Sequence, residues 1–378
     1  LLTSVLIVVA LFVLVGVFLP NQRSVQHSVE TNHPLRQAFD TLNSFKRFAD
    51  WNPLRQHDPQ VTYTESGEAR GVGARLDYAS ERADVGSGSW HITESEQDDR
   101  IRYAVYNDAH GQNKNHLVTL TQRGKVVLID WKYSVDYGWS LPGRYAGLYV
   151  DRTVGDDIKR SLANIANLLA SMPNFDYRDL AVQETVIAPV NILYITTTAD
   201  RNITAVENAM DVALKDIRAA IASNQLVEAG RPRLITTNFG AEKYEFDVAI
   251  PVALREQAQD EAADGGAEAQ PGEGAKAEFE ANVPEAVAAR EIDLTPPAPL
   301  EGLHLPENVR SGQSYGGRVV TAPYKGHPAA LPLVRDQLRS YAAAYGEQVH
   351  ERAFEEYLTE IDETSAEDAQ FKVYWPIR

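Results

Sequence analysis

The sequence predicts an α+β protein with two folded regions behind an apolar N-terminal helix. Three observations carry this. Residues Leu1 to Leu19 contain no charged side chain. Val127 to Tyr137 alternates apolar and polar residues, and an amphipathic stretch from Val154 to Ser171 follows it. The pattern Phe-x-Val-x-x-Pro-[Val/Ile] occurs twice, at Phe246–Val252 and at Phe371–Ile377. A repeated strand ending points to a duplicated fold unit.

The apolar run is about as long as the roughly 20 residues that cross a bilayer core, and Pro20 ends it. A signal peptide would have a shorter apolar region and a small-x-small cleavage site, and no such site closes this run. A retained transmembrane anchor over residues 1–20 is therefore expected. Orientation depends on flanking Lys and Arg; a basic flank before Leu1 would place the rest of the chain outside the cytoplasm.

The 378 residues suggest two or three domains, and the formal net charge of −17 argues against nucleic acid as a partner. Without cysteine there can be no disulfides, thiolate metal sites or cysteine nucleophile.

Residues 21–28 read as a polar spacer. Pro34 to Phe48 reads as a helix, with Leu35, Ala38, Phe39 and Leu42 on one face, and Trp51-Asn52-Pro53 stops it, because a residue before proline is pushed out of the α region. Strands are predicted at Val61–Glu65, Ala74–Tyr78, Gly88–Glu94, Arg100–Tyr106, His116–Gln122 and Val127–Tyr137, the last two joined by the turn Arg123-Gly124-Lys125. In the closing helix, Ile158, Leu162, Ile165, Leu168 and Leu169 form one stripe. One curved antiparallel sheet packed on a C-terminal helix is expected for residues 29–172.

The second region, residues 180–378, begins with a strand over Gln183–Thr198. Thr204-Ala-Val-Glu207 reads as a capping box, opening a helix with Val206, Met210, Ala213, Ile217 and Ile221 inward. Strands Arg233–Phe239 and Tyr244–Val252 complete the unit. The pattern then restarts with a strand over Gln313–Tyr324, a helix from Pro328 carrying Leu331, Val334, Leu338 and Tyr345, and strands Phe354–Ile361 and Phe371–Ile377. Between the copies, residues 255–301 hold twelve acids and three bases. Such a composition cannot bury enough apolar surface to offset ordering entropy, so a disordered insertion is expected.

The first region resembles the helix-grip superfamily of START-like and polyketide-cyclase-like (SRPBCC) proteins. The residues that carry the resemblance are Pro34–Phe39, Trp51–Pro53, Gly71–Gly73, Gly86–Glu94, Gly143–Leu148 and Gly155–Ile158. It implies a cavity for lipids, polyketides or other hydrophobic molecules, and no shared catalytic set. The second region is similar to gyrase-inhibitor-like (AraC-type) effector-binding domains, through Glu355-Glu356-Tyr357-Leu358 and Val373–Ile377. That resemblance implies a duplicated strand-helix-strand-strand fold and a cleft for amphipathic or cationic molecules. The chain departs from it at Phe371-Lys372, where many members carry an acid, which weakens the expectation of a cationic ligand.

The binding candidates follow. In the second region they are Glu356 and Tyr357, with Tyr194, Tyr324 and Trp375 as aromatic walls. In the first they are Trp90, Trp131, Tyr133 and Trp139 as cavity lining and Arg144 at a cavity mouth. Each aromatic also suits an ordinary core, and Arg144 could instead pair with Asp151 or a sheet acid. The nine histidines are scattered without metal-ligand spacing; His110 and His116 flank a loop. No nucleophile elbow or phosphate-binding glycine loop is present, and no cofactor or metal is implied. The expectation is a single-pass protein of a bacterial inner membrane, its domains outside the cytoplasm, that senses, sequesters or transfers a hydrophobic or amphipathic small molecule or lipid. A hydrolase or cyclase acting on such molecules, and an accessory subunit of a membrane protein complex, are the alternatives.

Overall fold

The computed structural model describes residues 2–255, 292–359 and 367–378. The chain divides into two compact units, Leu1–Asp179 with Arg339–Glu347, and Leu180–Leu338 with Gln348–Arg378. Both are built on large antiparallel sheets, so the fold class is mixed α/β.

The N-terminal helix corrects the sequence expectation. Helix α1 covers Leu2–Phe18. Among the described residues no helix is long and apolar enough to cross a membrane. The expected transmembrane helix is therefore not part of the fold class, and the single-pass, inner-membrane localisation built on it is not supported. The helix stops at Leu19-Pro20, and the chain turns directly into a strand. At Gly16 a Cβ would lie 3.0 Å from the Leu141 side chain and 3.1 Å from Tyr145, so this glycine permits close approach to helix α5 (Leu141–Ala146). Phe12 stacks on Tyr145 at 4.4 Å.

The polar spacer is also corrected: it is strand β1 (Gln22–Thr31). Its period-two pattern is weak because only Val25 and Thr31 are buried along it. Short helices α2 (Leu35–Leu42), α3 (Phe48–Trp51) and α4 (Leu54–His57) follow. Next come β2 (Thr62–Gly67), β3 (Ala74–Ala79), β4 (Ser87–Glu96), β5 (Arg100–Asn107), β6 (Gln112–Arg123) and β7 (Val126–Asp136). The seven strands lie in the order β1-β7-β6-β5-β4-β3-β2. Helix α6 (Asp156–Ala170) buries Ile158, Leu162, Ile165 and Leu169. These join Val127, Ile129, Trp131 and Ile101 in one core.

In unit 2 the single predicted strand over 183–198 is two, β8 (Gln183–Ile187) and β9 (Asn191–Asp200), separated at Pro189, which cannot donate to a ladder. Helix α7 (Ile203–Ser223) is capped by the Asn202 side chain, which accepts from Ala205 N at 2.9 Å, two residues before the predicted capping box. Then come β10 (Leu226–Glu228), β11 (Arg233–Phe239) and β12 (Lys243–Leu254). Of the predicted acidic insertion, residues 256–291 lie outside the described residues. The chain resumes into β13 (Arg310–Gln313), β14 (Gly317–Lys325), α8 (Leu331–Ala344), β15 (Phe354–Tyr357) and β16 (Gln370–Pro376). The end of the predicted strand Phe354–Ile361 also falls outside the described residues.

The strand order is β13-β9-β12-β11-β15-β16-β14-β8, with β10 beside β12. Read from the centre, it is symmetric. The two Phe-x-Val-x-x-Pro strands, β12 and β16, occupy equivalent places, and the halves meet where β11 pairs with β15. Each half also lends its leading strand to the other, since β8 pairs with β14 and β13 with β9. Helix α7 packs Met210, Leu214 and Ile217 against Leu193, Phe246 and Val248 on one face of the sheet. A smaller cluster around Ile235, Phe354 and Tyr374 covers part of the other.

Candidate functional site

The strongest candidate lies in unit 1, where a cavity of about 170 Å³ is lined by β3 to β7, α4 and α6. Its walls include Trp90, Val105, Trp131, Tyr133 and Ile158; its polar side chains include His57, Lys114, His116, Asp157 and Ser161. Strand alternation explains the lining. On β6, Lys114, His116, Val118 and Leu120 all point to the buried face, and on β7 so do Ile129, Trp131 and Tyr133. His116 stands opposite Tyr103 on one side and Tyr133 on the other. The β6–β7 register shifts between Gln112 and Asn115, with Asn113 at φ 51°, and the buried Lys114 lies within this bulge.

His116 is set by its neighbours. Trp131 Nε1 donates to His116 Nδ1 at 3.0 Å. Because an indole N–H can only donate, Nδ1 accepts and the hydrogen is on Nε2. The ring lies 4.7 Å from Trp90 and 4.8 Å from Tyr133. Burial in this aromatic box pushes its pKa down to about 3, so the imidazole is neutral and Nε2–H has no acceptor among the described residues. Lys114 donates to Asn107 O at 2.9 Å, to Asn107 Oδ1 at 2.7 Å and to Ala109 O; burial holds its pKa below the usual lysine value. Toward solvent, His57 Nε2 and Asp157 Oδ1 are 2.9 Å apart. Trp51, fully buried 5.6 Å from the Trp131 ring, has an Nε1–H without an acceptor among the described residues.

Of the unit 1 candidates read from sequence, Trp90, Trp131 and Tyr133 come together at this cavity. Trp139 does not; it is 81% exposed, with the Arg144 guanidinium 5.1 Å from its ring. Arg144 neither lines the cavity nor pairs with Asp151. It donates to Val17 O at 2.7 Å in the last turn of α1, to Leu19 O at 3.3 Å just beyond it, and to Gly138 O at 2.7 and 2.9 Å. A cation here satisfies orphan carbonyls at a helix C-terminus. Arg144→Ala is expected to fray that end, at a cost of about 1–3 kcal/mol. Faster amide exchange at Val15 to Phe18 would report it, and unchanged exchange would refute the capping role.

In unit 2, adjacent candidates fall on opposite faces of β15. Glu356 faces Arg233, with Oε1 at 3.0 Å from Nε and 2.9 Å from a terminal nitrogen, and accepts from Tyr374 Oη at 2.7 Å. Tyr357 lies on the helix-covered face, edge-on to Phe371 at 5.0 Å; Tyr324 stacks on the same Phe371 at 6.1 Å. Tyr194 packs half-buried with the Ile235 cluster on the other face. Trp375 is half-buried opposite Val320.

The carboxylate that enters the interior is Glu355, 1% exposed. Arg335 Nε approaches its Oε1 to 3.1 Å. The N–H is not aimed at the acceptor, however, and neither Glu355 oxygen completes a hydrogen bond among the described residues. Arg335 instead donates to Thr236 Oγ1, and its guanidinium lies 5.4 Å from the Phe239 ring and 5.8 Å from that of Tyr244. Burial outweighs the pull of Arg335 and holds the Glu355 pKa above its usual value.

Sequence reasoning passed over His116, Lys114 and Glu355. The signal for the first two was their phase: both fall in step with Val118 and Leu120 on β6. For Glu355 it was the alternation that puts it on the same face as Tyr357.

No family model matches the chain, and no curated protein matches it. Several solved structures are similar. Norcoclaurine synthase from Thalictrum flavum, solved with dopamine and hydroxybenzaldehyde, shares 12% identity at a TM-score of 0.32, over 39% of this chain and 87% of that one. A hydrolase from Listeria innocua shares 10% at 0.31, over 52% and 91%. The C-terminal domain of EcmrR shares 9% at 0.35, over 53% and 98%. At these TM-scores none bears on what this chain binds.

Proposed function

We propose that the protein is a binding protein that sequesters a small hydrophobic or amphipathic molecule in the cavity of unit 1. The observation that carries this is the cavity itself, about 170 Å³ walled by Trp90, Trp131, Val105 and Ile158. Drug-sized ligands fill pockets of about 300–1,000 Å³, whereas a dry cavity of about 150 Å³ accepts benzene. The volume therefore suits one ring with a short substituent rather than a lipid chain. In unit 2 both Glu355 and Glu356 already face an arginine of the chain, which disfavours a reading in which either recruits a cationic ligand.

Because two tryptophans wall the cavity, intrinsic fluorescence reports occupancy. Titration with phenol is expected to give a saturable change. Val105→Phe, which fills the space, is expected to abolish it while the chain stays folded. A response that never saturates, or that survives this substitution, would overturn the proposal.

A further inference from the structure

We propose that the molecule held in this cavity is an anion: a single-ring aromatic carboxylate, its ring against Trp90 and Trp131 and its oxygens facing Lys114 and His116. This rests on the reading of unit 1 as a binding protein and adds the charge and polarity of the ligand.

Beside the hydroxyls of Tyr133 and Ser161, which can donate or accept, the lining holds one fixed donor and one cation. His116 presents an N–H at Nε2 that has no acceptor among the described residues, and the ring cannot rotate to hide it, because Nδ1 is held by Trp131. Lys114 is 7% exposed. Its three hydrogens go to Asn107 O, Asn107 Oδ1 and Ala109 O. All three acceptors are neutral, so the hydrogen bonds are satisfied while the charge is not. No carboxylate forms an ion pair with Lys114 among the described residues; Asp108 acts on it only from a distance. A buried charge without a counter-ion is costly. The one carboxylate lining the cavity, Asp157, is engaged by His57 at 2.9 Å and Arg160 at 3.3 Å. A carboxylate on the ligand would supply both the missing counter-charge and the missing acceptor. An ammonium in the same place would meet Lys114 with like charge and His116 with a donor facing a donor.

The test is a series of near-isosteric probes, benzoate, benzamide, benzylamine and toluene, titrated into the full chain at one pH and ionic strength. Benzoate is expected to bind about tenfold tighter than benzamide, since charge-assisted hydrogen bonds are about twice as strong as neutral ones; benzylamine is expected not to saturate. Lys114→Met is expected to erase the preference of benzoate over benzamide while leaving toluene unchanged, and His116→Phe to weaken benzoate and benzamide together relative to toluene. If either variant fails to fold, the order of the four probes on the unaltered chain decides. Toluene or benzylamine binding as well as benzoate would overturn the anion inference and leave the cavity reading standing. If no probe binds, both fall.

Discussion

Arg335→Met is expected to destabilise unit 2 by about 3–5 kcal/mol, the cost of leaving one member of a buried ion pair alone. Glu355 is buried; among the described residues its oxygens complete no hydrogen bond, and Arg335 is the counter-charge beside it. The double substitution Arg335→Met, Glu355→Leu is expected to recover most of the loss, because removing both charges also removes their desolvation cost. Urea unfolding of the two single variants and the double variant measures this. Equal destabilisation by the double and the sum of the singles would show that the pair is not coupled. The pH dependence has a definite sign. Glu355 titrates above its unfolded value, so the native state binds more protons, and stability falls as pH rises through that interval. Without Arg335 the interval should widen, and the variant should regain stability on mild acidification.

The second large effect belongs to His116. Its pKa is pushed down from 6.5 to about 3 by burial alone. Between those values the unfolded chain takes up a proton that the native state refuses, so stability falls as pH drops from about 6.5 toward 3. At about 1.4 kcal/mol per unit the loss across the whole interval is roughly 4–5 kcal/mol. His116→Gln should lack this contribution. The difference between the two stability–pH curves isolates it from the carboxylates, which titrate in both proteins. Parallel curves would mean that His116 is not held neutral by its surroundings.

Much of the fold was legible because periodicity is local. The stripe Ile158, Leu162, Ile165 and Leu169 announced α6, and the alternation through Trp131 and Tyr133 announced β7. The repeated strand ending was equally legible, since β12 and β16 must each sit between two partners and are correspondingly apolar. Strand β1 was not legible, because along it only Val25 and Thr31 are buried and its partner β7 is a hundred residues away in sequence. The apolar run at the N-terminus was misread for a different reason. Composition describes how oily a segment is, but not where the helix ends, nor that Arg144 and Tyr145 of α5 bind its backbone carbonyls.

For the site, the sequence by itself determined which residue types were available and which face of each strand they share. It offered Trp90, Trp131, Tyr133 and Trp139 alike as lining or as ordinary core, because a large aromatic in an apolar pattern suits either; Trp139 is exposed instead. Only the tertiary structure decided that Trp131 donates to His116, leaving its Nε2–H unused, that three neutral oxygens surround Lys114, and that Glu355 rather than Glu356 enters the interior. The physical reason is that hydrogen bonding and desolvation depend on distances of a few ångströms between strands far apart in sequence, whereas hydrophobic periodicity depends only on neighbours along the chain.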